Sequence, residues 1–365
     1  MEAVQAIQLS AAGNGETGAA CALRAAAKHD GKERRPEELL SFTRWSLCCR
    51  TDAGSTLSPV GSPPNSQPAV ISAHQDAAWP KISLVTPVFN SGRYLEATIR
   101  SVLSPGYPNL EYIIVDGGST DGSVDIIRRY EADLHTWVSE PDRGMYDAIN
   151  KGFAQSSGEV MGWISATDLL HAGSLFVVGG VFRAFSEVEW ITGRPTGFND
   201  DGMAVEFLNL RRWSRFPFLA GANRYIQQES TYWRRNLWDR AGGRVDDSRR
   251  SASDFELWVR FFRYARLYSV DALIGGFRSH PDSLGLQNLE ECLRIQDEII
   301  EKELDSLQGA DAIRTFRAIG KRASSTPALA KLWTKVVIGS LRRWPGAGAA
   351  PVIRYRKDRW QMEAR

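Results

Sequence analysis

Between residues 81 and 164 the chain alternates short apolar segments with longer segments of helical periodicity, and this alternation limits the possible folds most strongly. The apolar segments have the length and the β-branched content of buried strands, and they are residues 82–85, 112–115, 137–138 and 160–164. Strands joined by helices make right-handed βαβ connections, which place successive strands parallel in one sheet. The sequence therefore predicts an α/β fold with a mostly parallel central sheet flanked by helices.

The chain divides into three regions by composition. Residues 1–79 carry Ala-, Gly- and Ser-rich patches and lack sustained periodicity, which predicts a disordered N-terminal segment, with a docking tail as the alternative. Residues 80–285 hold the strand–helix alternation, which weakens after Ser186, and are expected to form the main domain. Residues 286–365 are expected to form a helical C-terminal extension, because apolar residues recur at helical spacing between residues 289 and 300.

The overall composition argues against several classes of protein. The 45 basic and 43 acidic side chains nearly cancel, which argues against a general nucleic-acid binder. The four cysteines include no C-x-x-C pair, which argues against a disulfide framework or a zinc site and favours a reducing compartment. The best apolar run, residues 174–185, is shorter than the roughly 18 residues of a spanning helix. We therefore expect a cytoplasmic protein that is either free or peripheral at the inner face of the membrane.

Ligands of an open parallel sheet bind beyond the carboxyl ends of its strands. Three of the predicted strands lead into informative segments at that edge, residues 86–90, 116–118 and 165–168. A Rossmann dinucleotide site would need G-x-G-x-x-G directly after the first strand, where Pro87-Val88-Phe89 stands instead. A P-loop is also absent from the sequence. Nucleotide binding must therefore be of another kind.

Five motifs follow one another through this region. They are residues 86–90 (TPVFN), 115–122 (VDGGSTDG), 139–152 (SEPDRGMYDAINKG), 228–235 (QESTYWRR) and 254–258 (DFELW). Together they closely resemble family 2 glycosyltransferases with the GT-A fold, the fold of nucleotide-diphospho-sugar transferases. The resemblance covers roughly residues 81–280 and implies that residues 80–285 are the catalytic domain.

The resemblance implies an inverting, metal-dependent hexosyltransferase of the bacterial polysaccharide-biosynthesis type. Such an enzyme moves a sugar from a nucleotide-diphosphate donor, with a UDP-sugar favoured, to a hydroxyl of a glycan or lipid-linked acceptor in cell-surface polysaccharide biosynthesis. Related processive synthases carry Gln-x-x-Arg-Trp and several membrane spans. Neither feature occurs in this sequence, so transfer of a single sugar is expected.

The resemblance also implies which residues bind the donor. The set is Thr86, Pro87, Val88, Phe89, Asp116, Gly118, Arg143 and Thr167. Asp116 would accept an N–H of a nucleobase such as uracil, and the alternative is an Asx turn that caps its own loop. Arg143 would reach a phosphate or the donor sugar, or else form an ion pair with Asp142. Residues 87–89 would line the base pocket or serve only as turn and core.

Asp168 is the predicted metal ligand, because a leaving diphosphate needs a hard divalent cation, Mg²⁺ or Mn²⁺, to offset its charge. Relatives usually carry two or three consecutive acidic residues here, whereas this chain has Ala166-Thr167-Asp168 and keeps only the last. This difference from the relatives would weaken metal binding or remove a ribose contact at Thr167. A helix N-cap is the alternative role of Asp168. His280 would complete the metal or diphosphate site, or else make a structural hydrogen bond.

Asp254 is the predicted general base, which in inverting transfer takes the proton of the acceptor hydroxyl. It matches the second acidic position of a Glu-Asp pair in the family, with Ser253 in place of the first. An N-cap for the following helix is an alternative that can coexist with this role. Gln228, Glu229 and Trp258 are expected on the acceptor side, although Trp258 could instead fill the core.

Two other functions fit parts of the sequence. A non-catalytic or degraded sugar-nucleotide-binding relative would explain the loss of acidic residues before Asp168. A nucleotidyltransferase would need a Gly-rich loop with Arg and Lys after the first strand, and residues 86–90 do not contain one. Residues 332–344 mix apolar, aromatic and basic side chains, so they could lie at a membrane surface near a lipid-linked acceptor or pack as a helix on the domain.

Overall fold

The computed structural model describes residues 79–221, 224–280, 289–323 and 348–363. The predicted disorder of residues 1–79 and the membrane hypothesis for residues 332–344 therefore lie outside the described residues, apart from Trp79. Its indole packs edge-to-face on Tyr107 and Phe176, with ring centroids 5.7 and 5.2 Å away. Among the described residues, no helix is both long and apolar enough to cross a bilayer.

Helices and strands alternate through the first half of the described chain and then become less regular. The strands are β1 (Ile82–Val88), β2 (Leu110–Asp116), β3 (Thr136–Ser139), β4 (Val160–Trp163), β5 (Leu169–Leu170), β6 (Trp190–Thr192), β7 (Thr196–Phe198), β8 (Ala204–Phe207), β9 (Thr231–Arg234), β10 (Tyr268–Val270), β11 (Gly275–Arg278), β12 (Val352–Arg356) and β13 (Arg359–Glu363). The helices are α1 (Gly92–Leu103), α2 (Ser123–Arg129), α3 (Met145–Ala154), α4 (Ser174–Ala184), α5 (Arg215–Leu219), α6 (Arg235–Arg240), α7 (Ser253–Tyr264), α8 (Leu289–Asp305) and α9 (Ala310–Ala323).

A large sheet of nine described strands forms the centre, in the order β13-β12-β10-β6-β9-β4-β1-β2-β3. β9 runs antiparallel to both of its neighbours and β13 antiparallel to β12, while the other pairs are parallel. A smaller sheet has the order β5-β11-β7-β8. The prediction of an α/β fold with a mostly parallel central sheet is confirmed.

Both faces of the central strands are buried, which explains their nearly continuous apolar sequences. Val85 belongs to one cluster of buried side chains and Leu84 to the other, as the alternation of a strand requires. Pro87 lies within β1, which extends three residues beyond the predicted strand of residues 82–85. β4 pairs with β1 only as far as Val85, so the missing N–H of Pro87 breaks no ladder bond with β4.

Four tryptophans form the centre of one of these clusters: Trp163, Trp190, Trp233 and Trp258. The indole of Trp258 stacks on that of Trp163 at 5.8 Å and on that of Trp190 at 5.5 Å, and only 1% of the residue is exposed. The predicted contact of Trp258 with the acceptor is therefore corrected. Trp258 fills the core, because three neighbouring strands already cover its ring.

The C-terminal extension is helical in α8 and α9 but not throughout. Residues 352–363 form a hairpin, β12–β13, that extends the central sheet beside β10. Its turn residues Lys357 and Asp358 both have positive φ, 50° and 60°, as a two-residue hairpin turn requires. Val352 and Ile353 are buried against the sheet, which explains why this segment forms a strand. The expectation of a helical extension through residue 365 is corrected accordingly.

Candidate active site

The carboxyl ends of β1, β2 and β3 lie side by side at one edge of the sheet. Val88 of β1 is in register with Asp116 of β2, and Asp116 is in register with Ser139 of β3. The N–H of Gly117 donates to the carbonyl of Val88 at 2.8 Å, and the N–H of Glu140 donates to that of Asp116 at 3.0 Å. The structure thus brings three of the motif segments together.

Asp116 is fully buried and its carboxylate is engaged by its own loops. Oδ2 accepts the N–H groups of Gly118 and Ser119 at 3.1 and 3.0 Å and the hydroxyl of Ser139 at 2.7 Å. Oδ1 accepts the hydroxyl of Ser119 at 2.5 Å. The Asx-turn alternative describes this geometry, since the side chain caps the turn that follows β2.

The predicted base-pocket residues differ in what they offer to a ligand. Thr86, Pro87 and Val88 are buried within β1, and the hydroxyl of Thr86 lies 3.0 Å from that of Tyr112. These three side chains are part of the core, which is the alternative that the sequence left open for Pro87 and Val88. Phe89 is 63% exposed, and it alone of the four has a side chain open to a ligand.

The loop after β3 packs closely on the glycines after β2. A Cβ on Gly117 would come within 2.6 Å of the Asp142 carboxylate, and one on Gly118 within 3.6 Å of the backbone of Pro141. Gly118 also has φ of +85°, a conformation that favours glycine. The glycine pair therefore allows the β3 loop to approach the end of β2.

Arg143 forms two ion pairs, neither of them with Asp142. Its guanidinium donates to Asp147 and to Asp247 at 2.6 Å each, although 72% of the side chain is exposed. The hydrogen bond from Arg143 to Asp147 lowers the pKa of that carboxyl. The alternative of a pair with Asp142 is wrong, because the side chain turns toward helix α3 and the loop before α7. These groups line a pocket of about 330 Å³.

Asp168 is buried between β4 and β5, where the larger and smaller sheets meet. Its Oδ1 accepts the backbone N–H of Arg278 in β11 at 2.8 Å, and its carbonyl accepts the hydroxyl of Thr98 at 2.8 Å. Burial raises the pKa of Asp168, and the hydrogen bond from Arg278 opposes that rise. The N-cap alternative is wrong, because α4 begins later and its cap is Gly173.

Asp254 lies in the first turn of α7 and is half-buried. Ala252, with φ of +61°, is the N-cap of this helix, so Asp254 is not. Burial raises the pKa of Asp254. The N–H of Ser253 donates to the hydroxyl of buried Tyr146 at 3.3 Å, which ties the start of α7 to α3. Sequence reasoning did not single out Tyr146, although it lies within the third motif.

Glu229 joins Asp168 and Asp254 electrostatically. It is 4% exposed, and its Oε1 has no hydrogen-bond partner among the described residues. Burial, and then the charges of Asp168 and Asp254, raise the pKa of Glu229 well above its ordinary value. Gln228 beside it donates from Nε2 to the carbonyl of Trp163 at 2.5 Å. The charges of Asp168 and Asp254 therefore act on Glu229, although the three residues are distant in sequence.

The remaining predicted residues surround Asp168. Thr167 precedes it and is half-buried. His280 is buried, and its ring packs on Tyr94 at 4.8 Å. Arg278, which sequence reasoning assigned no role, interacts electrostatically with Asp168 and lies over the ring of Tyr94 at 5.2 Å. Its position near the end of the region that resembles the family, residues 81–280, was the available signal.

Comparison with known proteins identifies the family of one part of the chain. Residues 83–178 match the family model described as Glycosyl transferase family 2, and this range includes Asp116, Arg143 and Asp168. These residues form a family 2 glycosyltransferase domain. The recognition of the family from its motifs is confirmed.

Relatives of the family 2 domain occur in several bacteria. An uncharacterized glycosyltransferase of Mycobacterium tuberculosis is 38% identical over 90 residues, which are 24% of this chain and 34% of the relative. A candidate teichuronic acid biosynthesis glycosyltransferase of Bacillus subtilis, TuaG, is 36% identical over 92 residues, or 24% of this chain and 36% of the relative. An uncharacterized glycosyltransferase of Rickettsia typhi is 24% identical over 234 residues, which are 60% of this chain and 70% of the relative. The chain thus spans about a third of the length of the first two relatives.

Among solved structures, TarS of S. aureus is similar with a TM-score of 0.50 at 16% sequence identity. The match covers 67% of this chain and 43% of TarS. This likeness shows the fold of the family 2 domain and its surroundings, which is the GT-A fold.

Proposed function

We propose that the chain is an inverting glycosyltransferase that moves a single sugar from a nucleoside-diphosphate donor to a hydroxyl of an acceptor. A UDP-sugar is the favoured donor, and a glycan or lipid-linked molecule of cell-surface polysaccharide biosynthesis is the favoured acceptor. The name of the relative TuaG supports that acceptor class. A lipid-linked acceptor would bring the protein to a membrane surface.

The observation that carries the proposal is the family 2 domain of residues 83–178, which contains buried Asp168 and is followed in the fold by Asp254 in the first turn of α7. In the proposed reaction the acceptor oxygen attacks the anomeric carbon while the bond from that carbon to the diphosphate oxygen breaks. Asp254 takes the proton of the acceptor hydroxyl. Burial moves its pKa toward neutral pH, which is the direction that suits a general base.

The residues around Asp168 fit a divalent cation such as Mg²⁺ or Mn²⁺. Asp168 offers a hard carboxylate oxygen after the end of β4. No group of three or more acidic, histidine or cysteine side chains in the described chain is arranged to hold a metal. Most ligands would thus come from the diphosphate and water, and the bound cation would offset charge on the leaving diphosphate.

His280 and Glu229 complete the proposed assignments. We place His280 at the diphosphate side of Asp168, since it follows β11, whose Arg278 holds the Asp168 carboxylate. Gln228 and Glu229 face the acceptor side with Asp254. Arg143 would have to exchange Asp147 or Asp247 for a phosphate of the donor, which its exposure permits.

Thermal unfolding of the purified chain with a panel of nucleotide sugars, each with and without Mn²⁺, tests the proposal. A donor that binds the folded state raises Tm by mass action, and by a larger amount with Mn²⁺. Asp168→Ala should remove the part of the shift that depends on Mn²⁺. Glu298→Gln, an exposed carboxylate on α8, is the matched control and should leave the shift unchanged.

Turnover then separates the enzyme from a non-catalytic relative. Release of nucleoside diphosphate in the presence of a glycan acceptor is the result we expect. A donor that binds without any release, across a broad acceptor panel, would favour the sugar-nucleotide-binding alternative. If no nucleotide sugar shifts Tm, the proposed function is wrong.

A further inference from the structure

The helix that carries the proposed general base begins in the interior of the protein. α7 starts at Ser253, which is fully buried, so its backbone N–H has no access to water. The first N–H groups of a helix have no acceptor within the helix and need one from outside. Ala252, the N-cap, has only a methyl group, which cannot accept a hydrogen bond. The position of Asp254 in this first turn therefore depends on an acceptor from another element.

Tyr146 on α3 supplies that acceptor. Its hydroxyl accepts the N–H of Ser253 at 3.3 Å, and the residue is 6% exposed. Burial raises the pKa of Tyr146 well above its ordinary value, and the nearby charge of Asp254 raises it further. The backbone N–H groups of Ser253 and Asp254 oppose this rise, because both donate to the hydroxyl oxygen. Tyr146 thus takes the place of an N-cap side chain at the turn that carries Asp254.

A second contact holds the loop before α7 to the same helix. The side-chain amide of Asn150, one turn after Tyr146, donates to the carbonyl of Val245 at 2.9 Å and accepts the N–H of Val245 at 2.9 Å. The loop is therefore attached to α3 both at Val245 and at the start of α7. Of these two contacts, the one made by Tyr146 lies in the turn that carries Asp254.

We propose that Tyr146 is a positioning residue that acts through Asp254, a role that rests on the proposed function. Its hydroxyl holds the first turn of α7 where the Asp254 carboxylate takes the proton of the acceptor hydroxyl. Without the hydroxyl, the N–H of Ser253 would be buried and unpaired, and a small movement of the turn avoids that cost in free energy. Such a movement displaces the base, and a misplacement of about 1 Å can slow a reaction by about a hundredfold.

The variant Tyr146→Phe removes the hydroxyl and keeps the ring that fills the core. We expect the rate of nucleoside diphosphate release, at saturating donor and acceptor, to fall at least about tenfold. Donor affinity, measured by calorimetry with Mn²⁺ present, should stay within about twofold of wild type, because the lost hydrogen bond orients the base and not the donor.

Tyr107→Phe is the matched control. Tyr107 is also buried, its hydroxyl donates to the carbonyl of Pro80 at 2.8 Å, and it belongs to the other cluster of buried side chains. This variant should lower Tm by an amount similar to that of Tyr146→Phe, because each loses one buried hydrogen bond. The rate of nucleoside diphosphate release should remain that of wild type.

A double-mutant cycle shows whether Tyr146 acts through the base. In the Asp254→Asn background the base is already absent, so Tyr146→Phe should change the residual release rate by less than about twofold. A purely structural role would instead slow release by the same factor in both backgrounds. Single-turnover release from the four proteins, together with the Tm and donor affinity of each, gives the comparison.

The outcomes separate the role of Tyr146 from the function on which it rests. If Asp254→Asn loses release while Tyr146→Phe keeps the wild-type rate, Tyr146 does not position the base, and the proposed function stands. A further loss of about tenfold in the double variant, or a rate that falls only together with donor affinity, would also overturn the role of Tyr146. If wild type releases no nucleoside diphosphate with any acceptor, the proposed function and the inference both fail.

Discussion

At the scale of single residues, carboxyl groups buried in the same domain titrate in opposite directions because their hydrogen-bond donors differ. Burial raises the pKa of Asp254 and of Glu229, the latter with an unpartnered oxygen. Glu111 is as inaccessible as Glu229, yet hydrogen bonds from Ser83, Ser157 and the N–H of Gly158 outweigh burial and lower the pKa of Glu111 to about 2. The number of donors, more than depth, decides whether the fold favours the charged form.

Glu111→Gln is predicted to destabilise the fold by about 2 kcal/mol at pH 7, because Glu111 connects β1, β2 and the start of β4 through three residues. A carboxyl whose pKa is lower in the folded chain stabilises it above the unfolded pKa of about 4.5. That contribution is lost as the pH falls toward 2. Urea unfolding of both proteins at pH 7, 4 and 3 measures it. A difference between the two proteins that does not shrink on acidification would contradict the assignment.

At this scale the sequence left the roles of several residues open, and the structure decides some of them. Asp168 and Asp254 each carried an N-cap alternative, and neither is a cap, because the cap position is decided by the local backbone and falls at Gly173 and Ala252. Trp258 could be core or surface by its helical position, and three neighbouring strands decide for core. Contacts such as these join residues far apart in sequence, and periodicity does not encode them.

At the scale of elements, the carboxyl group of Glu303 attaches the C-terminal helices to the domain. Glu303 on α8 is 2% exposed and accepts hydrogen bonds from Arg215 at 2.6 Å and from Nε of Arg263 at 3.0 Å. Arg317 on α9 is buried as well and binds Asp297 at 2.8 Å. Charged side chains that are this inaccessible are costly unless each finds a partner, so the pairing fixes where α8 lies on α5 and α7.

Glu303→Gln should lower the stability of the chain by about 2 kcal/mol or more, because two arginines would lose their buried counter-charge. The matched control is Glu298→Gln on the same helix, whose exposed pair with Arg294 is expected to contribute less than about 0.5 kcal/mol. Chemical denaturation with both variants and wild type gives the comparison. Equal losses of stability for the two variants would mean that burial of Glu303 does not increase its contribution to stability.

Helices and strands could be predicted from the sequence where a single hydrophobic pattern continues through the segment. The bounds of α3 and α7 agree with the residues whose apolar side chains recur at helical spacing, whereas β1 and β2 extend beyond the predicted strands of residues 82–85 and 112–115. The sequence analysis did not predict the hairpin β12–β13. The only sequence signal for it is that Val352, Arg354 and Arg356 alternate with their neighbours. The strand that β12 pairs with, β10, is remote in sequence.

Ile353→Ala should cost about 2–4 kcal/mol, because Ile353 is fully buried where the hairpin joins the sheet. Tyr355→Ala, two residues further along the same strand and 56% exposed, should cost much less. Thermal unfolding of the two variants provides the test. A small loss for Ile353→Ala would show that the hairpin is not part of the cooperative unit.

At the scale of the whole molecule, the candidate site is a product of strand order. β9 lies between β4 and β6 and runs antiparallel to both, so the turn before it, which holds Glu229, meets the end of β4, where Asp168 follows. Tyr146 then links α3 to the start of α7 and to Asp254. The motifs identified the family and its fold, whereas the electrostatic effect of Asp168 and Asp254 on Glu229 became visible only in the folded chain.

The central claim is that this site transfers a sugar with Asp254 as the base, and Asp254→Asn tests it most directly. Because burial raises the pKa of Asp254, the neutral amide should not lower Tm at pH 7. Donor affinity, measured by calorimetry, should equal that of wild type. Release of nucleoside diphosphate with acceptor present should fall at least about a hundredfold. Near wild-type release by a variant that is folded and binds donor would contradict the account.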